Sequence, residues 1–266
     1  MNIKPTRRSA MLATAAVIAA AGSNKTMAQG ATTKTFVLVH GAWHGAWCWR
    51  RVADLLEQKG HKVFAPTLTG LGDRSHLITK DVNLTTHITD VVNLIEWENL
   101  DNFVLVAHSY GGIIASGVAE KVSSKISSIV FLDAFMPEDG ETLLEKSSPA
   151  FVDAIKGAMA KGDVGIKAPP ASAFGITADG DKAWVDSKTT AQPVGTYAEK
   201  ASYTGGREKI ARKTFIRAKG YKSATFDANL AKVKANSSWK IFELETGHDV
   251  MVIAPDRLTE ILLASA

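Results

Sequence analysis

The sequence predicts an α/β fold: a mainly parallel sheet of about six strands with helices on both faces and a helical insert near one end. Three observations predict it. Continuous apolar runs such as Thr35–His40 (TFVLVH) and Phe103–Ala107 (FVLVA) recur along the chain, as expected of strands buried on both faces. Segments with helical spacing separate these runs, and parallel pairing needs such crossovers. With 45% hydrophobic and 22% charged residues, 266 positions supply enough apolar material for one large core.

The elements follow in order. Residues 1–28 read as an export signal, with a basic start (Met1–Arg8), a 13-residue apolar run (Ala10–Gly22) and a small-residue cleavage site at Thr26-Met27-Ala28. The run is short of the roughly 20 residues a bilayer demands, so no permanent membrane anchor is expected. Thr6-Arg7-Arg8-Ser9 resembles a twin-arginine signal, although Ala10 stands where that pattern prefers phenylalanine, which keeps the general secretory route open. An exported, periplasmic or secreted protein is expected. Residues 29–33 are a linker.

Thr35–His40 is the first strand. A helix over Ala46–Gln58 follows, with Trp49, Val52, Leu55 and Leu56 on one face. Lys62–Pro66 is the second strand, and the glycine-rich loop Thr67–His76 leads to a helix over Thr86–Trp97. Phe103–Ala107, Ile126–Leu132, Thr214–Ala218 and Trp239–Leu244 are the remaining strands. The last helix, Pro255–Ala264, buries Leu258, Ile261 and Leu262. Residues 34–136 and 213–266 thus form the core. Residues 137–212 hold helical fragments and no strand, and read as a lid; Phe151, Phe174, Trp184, Tyr197 and Tyr203 suit either pocket walls or the insert's own core.

The formal charge of +4 is concentrated in one place. Four of the 31 basic residues (Lys4, Arg7, Arg8, Lys25) fall within 1–28, which has no acid, leaving 27 basic against 27 acidic residues. The body is neutral, so no nucleic-acid partner is expected. Cys48 is the only cysteine, which excludes an internal disulfide.

The stretch VLVAHSYGG (104–112) sets His108-Ser109-Tyr110 on a corner between an apolar strand and a helix beginning at Gly112. A serine on so sharp a turn sits in strained backbone with its hydroxyl pointing out of the sheet, the geometry of the nucleophile elbow G-x-S-x-G. Here the spelling is A-H-S-Y-G. The positions two before and two after the serine must be small because the entering strand and leaving helix nearly touch; Ala107 meets that demand at some cost. The competing reading is a serine in an ordinary loop.

A serine nucleophile needs a base, an orienting acid and donors for an oxyanion. His248, in Glu245-Thr246-Gly247-His248-Asp249, stands where the order Ser…Asp…His puts the base. His61, His76 and His87 lie in polar sequence and are expected to be solvated, and His108 to point away from the serine. His40 and His44 are four apart, which suits a metal only on a helix, and Gly41 and Gly45 argue against one. No metal site and no cofactor are expected. The loop His40–Gly45 is expected to aim a backbone N–H at the substrate carbonyl, with the amides of Ala42 and Tyr110 as the two donors. It also reads as a tight turn packing Trp43 and Trp47 into the core.

FVLVHGAWHGAWCWRRVADLLEQKGHKVFAPTLTGLG, followed by VLVAHSYGG, FLDAFMP and ELETGHDVM, resembles the α/β-hydrolases grouped with plant methylesterases and hydroxynitrile lyases, and their bacterial carboxylesterase relatives most of all. The resemblance runs over roughly residues 34–265. It implies an α/β-hydrolase fold and a cofactor-free serine esterase, with Ser109, His248 and the oxyanion loop in the places derived above. The acid departs from the plant pattern. Plant members carry an aspartate directly after the strand corresponding to Thr214–Ala218, where this chain reads Arg217-Ala218-Lys219-Gly220-Tyr221-Lys222 and has no carboxylate before Asp227. The preceding strand ends in Phe131-Leu132-Asp133, and some haloalkane dehalogenases carry their acid on that neighbouring strand. Asp133 is therefore the expected acid, with Asp227 the alternative, and a turn-capping role is open to Asp133.

Four readings fit this scaffold. The first is hydrolysis of an apolar, modest-sized carboxylic ester, a small-molecule substrate, through an acyl-enzyme on Ser109. Hydrolysis of another acyl bond, an amide or lactone, uses the same groups. A hydroxynitrile lyase of this family resembles its relatives in a threonine after the first strand and a lysine beside the histidine; here those positions are Gly41 and Asp249. A non-catalytic ligand-binding protein is the fourth, against which the full set of catalytic groups argues.

Overall fold

The computed structural model describes Met1 and residues 32–266, so all of the predicted export signal but Met1, and most of the linker, lie outside the described residues. The chain forms β1 (Thr35–Val39), β2 (Lys62–Phe64), β3 (Phe103–His108) and β4 (Ile126–Leu132). Two short strands in the insert, β5 (Gly165–Ile166) and β6 (Gln192–Pro193), precede β7 (Arg212–Ala218) and β8 (Trp239–Leu244). The main sheet has six strands in the order β2-β1-β3-β4-β7-β8, every pair parallel.

The helices are α1 (Arg50–Gln58), α2 (Leu84–Trp97), α3 (Gly111–Val122), α4 (Pro149–Lys161), α5 (Asp179–Lys188), α6 (Gly195–Ala198), α7 (Ala224–Lys234), α8 (Val250–Ile253) and α9 (Pro255–Ser265). Strand side chains alternate between two cores, as the period of two dictates. Val37, Leu105, Ile129 and Phe215 face α2, α3 and α7. Phe36, Leu38, Val104, Val130 and Ile216 face α1 and α9. Among the described residues no helix is long and apolar enough to cross a membrane.

Boundaries move where caps decide them. Helix α2 begins at Leu84 and not at Thr86, because the Asn83 side chain accepts from the Thr86 N–H at 2.9 Å and the Thr86 hydroxyl accepts from the Asn83 N–H. The predicted helix 46–58 is a 3₁₀ turn (Ala46–Trp49) leading into α1. The insert, expected to lack strands, carries the antiparallel ladder Gly165↔Pro193 and Ile166↔Gln192. Two residues per strand are too few for any hydrophobic period to register.

Candidate active site

Strand β3 ends at His108, and Ser109 turns the chain with φ +52°, a left-handed conformation costly for a residue with a Cβ. Neighbouring backbone holds it there. The Ser109 N–H donates to Leu132 at 3.1 Å, and its carbonyl accepts from Gly112 (3.1 Å) and Phe135 (3.0 Å). A Cβ on Gly111 would lie 2.8 Å from the His40 carbonyl oxygen and 2.9 Å from that of Val39. The demand for a small residue there is thus set by β1, and not only by contact between the entering strand and the leaving helix.

His248 follows β8 and is 4% exposed. Its Nδ1 stands 2.6 Å from Oδ2 of Asp133, at the end of β4. The other Asp133 oxygen, Oδ1, accepts from the Ala218 N–H (3.1 Å) and from Arg217 Nη1 (2.8 Å). Asp133 is fully buried, with φ +42°. Asp227, the alternative acid, lies in α7, where its Oδ1 accepts from Arg217 Nε at 3.0 Å. The structure therefore brings Asp133 to His248, and joins Asp227 to that pair only through the arginine. Tyr221 (4.5 Å between centroids, 25° between planes) and Phe226 (5.4 Å, 11°) stack on the His248 ring.

The loop after β1 is clamped by side chains. The Leu68 N–H donates to Nε2 of His40 (3.1 Å), so the His40 proton sits on Nδ1, which donates to the Gly41 carbonyl at 2.8 Å. Burial pushes the His40 pKa down to about 3, consistent with this neutral form. The Gly41 carbonyl and the Ala42 N–H belong to one peptide, so His40 fixes the direction of a predicted oxyanion donor. His44 Nδ1 donates to the Ala42 carbonyl (2.7 Å), and its Nε2 lies 3.1 Å from Asp249 Oδ2. Among the described residues the N–H groups of Ala42 and Tyr110 have no backbone acceptor.

His87 is not solvated as its polar sequence suggests. It is fully buried, its Nε2 donating to the Thr69 carbonyl (2.8 Å) and its Nδ1 accepting from the Tyr110 hydroxyl (2.9 Å). Burial lowers its pKa to about 4. His61 is half-buried and accepts from the Lys34 N–H, whereas His76 is exposed. His108 is buried and donates from Nε2 to the His248 carbonyl at 3.1 Å.

Ser109, His248, Ala42 and Tyr110 line one cavity of about 760 Å³. Trp43, Phe135, Phe151, Phe174 and Tyr197 add aromatic walls, so three of the five insert aromatics face the cavity. Tyr203 instead donates to the Ile113 carbonyl of α3 (2.7 Å), and Trp184 packs edge-on against Trp47. The insert also grips the site. Gln192 accepts from the Trp43 N–H (3.0 Å), and the Phe174 carbonyl accepts from the His248 N–H (2.7 Å). Sequence reading passes over Arg217, Gln192 and the His44–Asp249 contact; an arginine closing the otherwise apolar run TFI of β7 is the one visible signal among them.

The profile of the alpha/beta hydrolase family matches residues 36–261. A carbendazim-hydrolyzing esterase of Nocardioides sp. (strain SG-4G) is 40% identical over 238 residues, 86% of this chain and 98% of that protein. Methylesterase 2 of Arabidopsis thaliana is 42% identical over 120 residues, 44% of this chain and 43% of that protein. Among solved structures, an extracellular alpha/beta-hydrolase from a Paenibacillus species superposes with a TM-score of 0.77 at 22% identity, covering 88% of this chain and 99% of the other, a likeness of fold.

Proposed function

We propose a serine mechanism for this chain, which belongs to the alpha/beta hydrolase family and is a carboxylic ester hydrolase. Ser109 Oγ attacks the ester carbonyl carbon while His248 Nε2 takes its proton. Asp133 stabilises the imidazolium through Nδ1, and the N–H groups of Ala42 and Tyr110 bond the oxyanion, each donor worth roughly 3–4 kcal/mol in the transition state. Collapse expels the alcohol, which takes the proton from His248. Water then attacks the acyl-enzyme by the same route, releasing the acid and restoring Ser109.

The observation that carries this reading is the 2.6 Å contact between Asp133 and His248 in the wall of the cavity that Ser109 also lines. The cavity volume falls within the range of about 300–1,000 Å³ usual for small-molecule sites. Its aromatic walls favour an apolar aryl or alkyl ester of modest size. The Nocardioides relative is named for carbendazim, which belongs in the substrate panel beside aryl esters of graded chain length.

A fluorophosphonate should label Ser109 in proportion to lost esterase activity, and Ser109→Ala should leave only a trace of turnover. A labelled residue other than Ser109, or substantial hydrolysis by the alanine variant, would exclude the acyl-enzyme on this serine.

A further inference from the structure

We propose that His44 and Asp249 form a positioning brace, holding the oxyanion-forming backbone at Ala42 in register with the catalytic imidazole of His248. The proposal rests on the serine mechanism above. It accounts for two buried ionisable residues that the mechanism does not use.

The brace joins the two loops that must meet at one reacting carbon. At one end, the Ala42 carbonyl can only accept, so the proton on His44 Nδ1 is fixed by that 2.7 Å contact. At the other, His44 Nε2 stands 3.1 Å from Oδ2 of Asp249, the residue directly after His248. A single further proton is shared between Nε2 and the carboxylate. The Asp249 backbone is itself anchored: its carbonyl accepts from Val252 (2.9 Å) and Ile253 (3.0 Å) in α8, and the His248 carbonyl accepts from Val250 and His108. A shift of the Ala42 loop would therefore stretch a buried bond to a fixed point beside the base.

Packing alone does not explain such a pair. His44 is 1% and Asp249 0% exposed, and two apolar residues would fill the same space without the desolvation cost. Trp47 stacks on the His44 ring (5.2 Å, 20°), and Phe174 meets it edge-on (5.3 Å), so the histidine has no route to solvent or substrate. Burial opposes its protonation, but the charge and hydrogen bond of Asp249, with the bond to Ala42, outweigh burial and raise its pKa. His108, whose Nε2 lies 3.9 Å from Asp249 Oδ1, is held neutral, chiefly by burial. The proton next to Asp249 is thus held by His44 and not by His108. Catalysis tolerates little drift here, because an oxyanion donor acts only near 2.7–3.1 Å.

The test compares His44→Ala, Asp249→Ala and Asp249→Asn with the parent enzyme on a 4-nitrophenyl ester. It adds two ligands of similar shape: an aryl trifluoromethyl ketone, whose carbonyl carbon bonds Ser109 Oγ as His248 takes the serine proton and whose oxygen becomes the hemiketal alkoxide, and the matching methyl ketone, which reports only the pocket. The alanine variants should lose about one-hundredfold in kcat with KM within about twofold, as for a displaced donor. Trifluoromethyl ketone affinity should fall by the same factor while methyl ketone affinity holds. Asp249→Asn keeps a hydrogen bond to His44 and should recover at least about tenfold of the loss. Should an alanine variant fail to fold, Asp249→Asn and His44→Gln carry the same comparison. Equal weakening of both ketones, or kcat within about threefold of the parent, would overturn the brace. Fluorophosphonate labelling of Ser109 in each variant separates that outcome from failure of the serine mechanism, which would leave the parent enzyme unlabelled as well.

Discussion

Two histidine–aspartate pairs stand side by side in this molecule and share a stretch of chain, since His248 belongs to one and Asp249 to the other. Both are buried. They differ in what the second nitrogen of each imidazole meets. His248 uses Nδ1 for Asp133 and leaves Nε2 for the cavity that Ser109 lines. His44 uses Nε2 for Asp249 and commits Nδ1 to the Ala42 carbonyl. The carboxylates differ as well: Asp133 is held by Arg217 and the Ala218 N–H, whereas Asp249 Oδ1 has no hydrogen-bond partner among the described residues. In the proposed mechanism and brace, the same two residue types thus give a proton acceptor in one place and a strut in the other, and the partner of the remaining nitrogen decides which.

The sharpest break of this comparison is Asp133→Asn. It keeps the shape of the first pair but removes the charge that stabilises the imidazolium, and it should lower kcat by about 10⁴. Steady-state kinetics on an aryl ester checks it; a loss below tenfold would move the acid elsewhere.

A smaller effect is expected from the arginine that only the first pair possesses. Arg217→Met leaves Asp133 with one fewer hydrogen bond and no buried counter-charge, and should cost about 10- to 100-fold in kcat/KM. With the cation gone, the imidazolium is held more tightly by Asp133, so the acid limb of the pH–rate profile should move to higher pH; a purely structural role would leave that limb in place. Arg217→Lys should restore part of the loss and of the limb. Asp227→Asn touches only the outer side of the guanidinium, where its carboxyl side chain is 53% exposed, and should cost less than about tenfold. A larger loss from Asp227 than from Arg217 would reverse the order of support.

The smallest effect concerns stability, and sets the charged His44 pair against its neutral neighbours. His40 and His87 stay neutral in the fold down to about 3 and about 4, whereas in the unfolded chain they take up protons near the ordinary value of 6.5. Below 6.5 the unfolded state therefore binds more protons, and stability should fall on acidification by about 1.4 kcal/mol per pH unit for each histidine. Urea unfolding between pH 6.5 and 5, above most carboxylate titration, measures that slope, and His87→Asn should remove one histidine's share. A flat profile in this window would mean that the two rings are protonated in the fold.

The central strands of the sheet were legible because Phe36–Val39 of β1, Phe103–Ala107 of β3 and Ile129–Leu132 of β4 are continuous apolar runs, and such runs bury on both faces whatever their neighbours do. The serine corner was legible for a related reason. A strand, a polar triplet and two glycines within nine residues leave few backbone paths, and Ser109 adopts the left-handed turn that this spelling suggests. Legibility failed where a partner lies far along the chain. His87 reads as solvated beside threonines and an aspartate, and is buried because Tyr110, 23 residues on, brings its hydroxyl to the ring. Gln192 sits in a stretch with no pattern, yet it accepts from the Trp43 N–H in the loop after β1, 149 residues away.

By itself, then, the sequence determined the layers, the strand count and the placing of chemistry at strand ends, since local periodicity and turn residues act within a few positions of each other. Only the tertiary structure decided which carboxylate reaches His248. Asp133 and Asp227 are both plausible by residue type and chain order. Strand β4 lies between β3 and β7, which puts Asp133 at the sheet end between Ser109 and the strand leading to Arg217, while Asp227 is carried into α7 and turned toward Arg217. Tertiary structure likewise decided which histidine has a nitrogen to spare. A hydrogen-bond partner 205 residues away, as Asp249 is for His44, leaves no trace in the local pattern, because the bond depends on where two loops meet in space and not on what surrounds either along the chain.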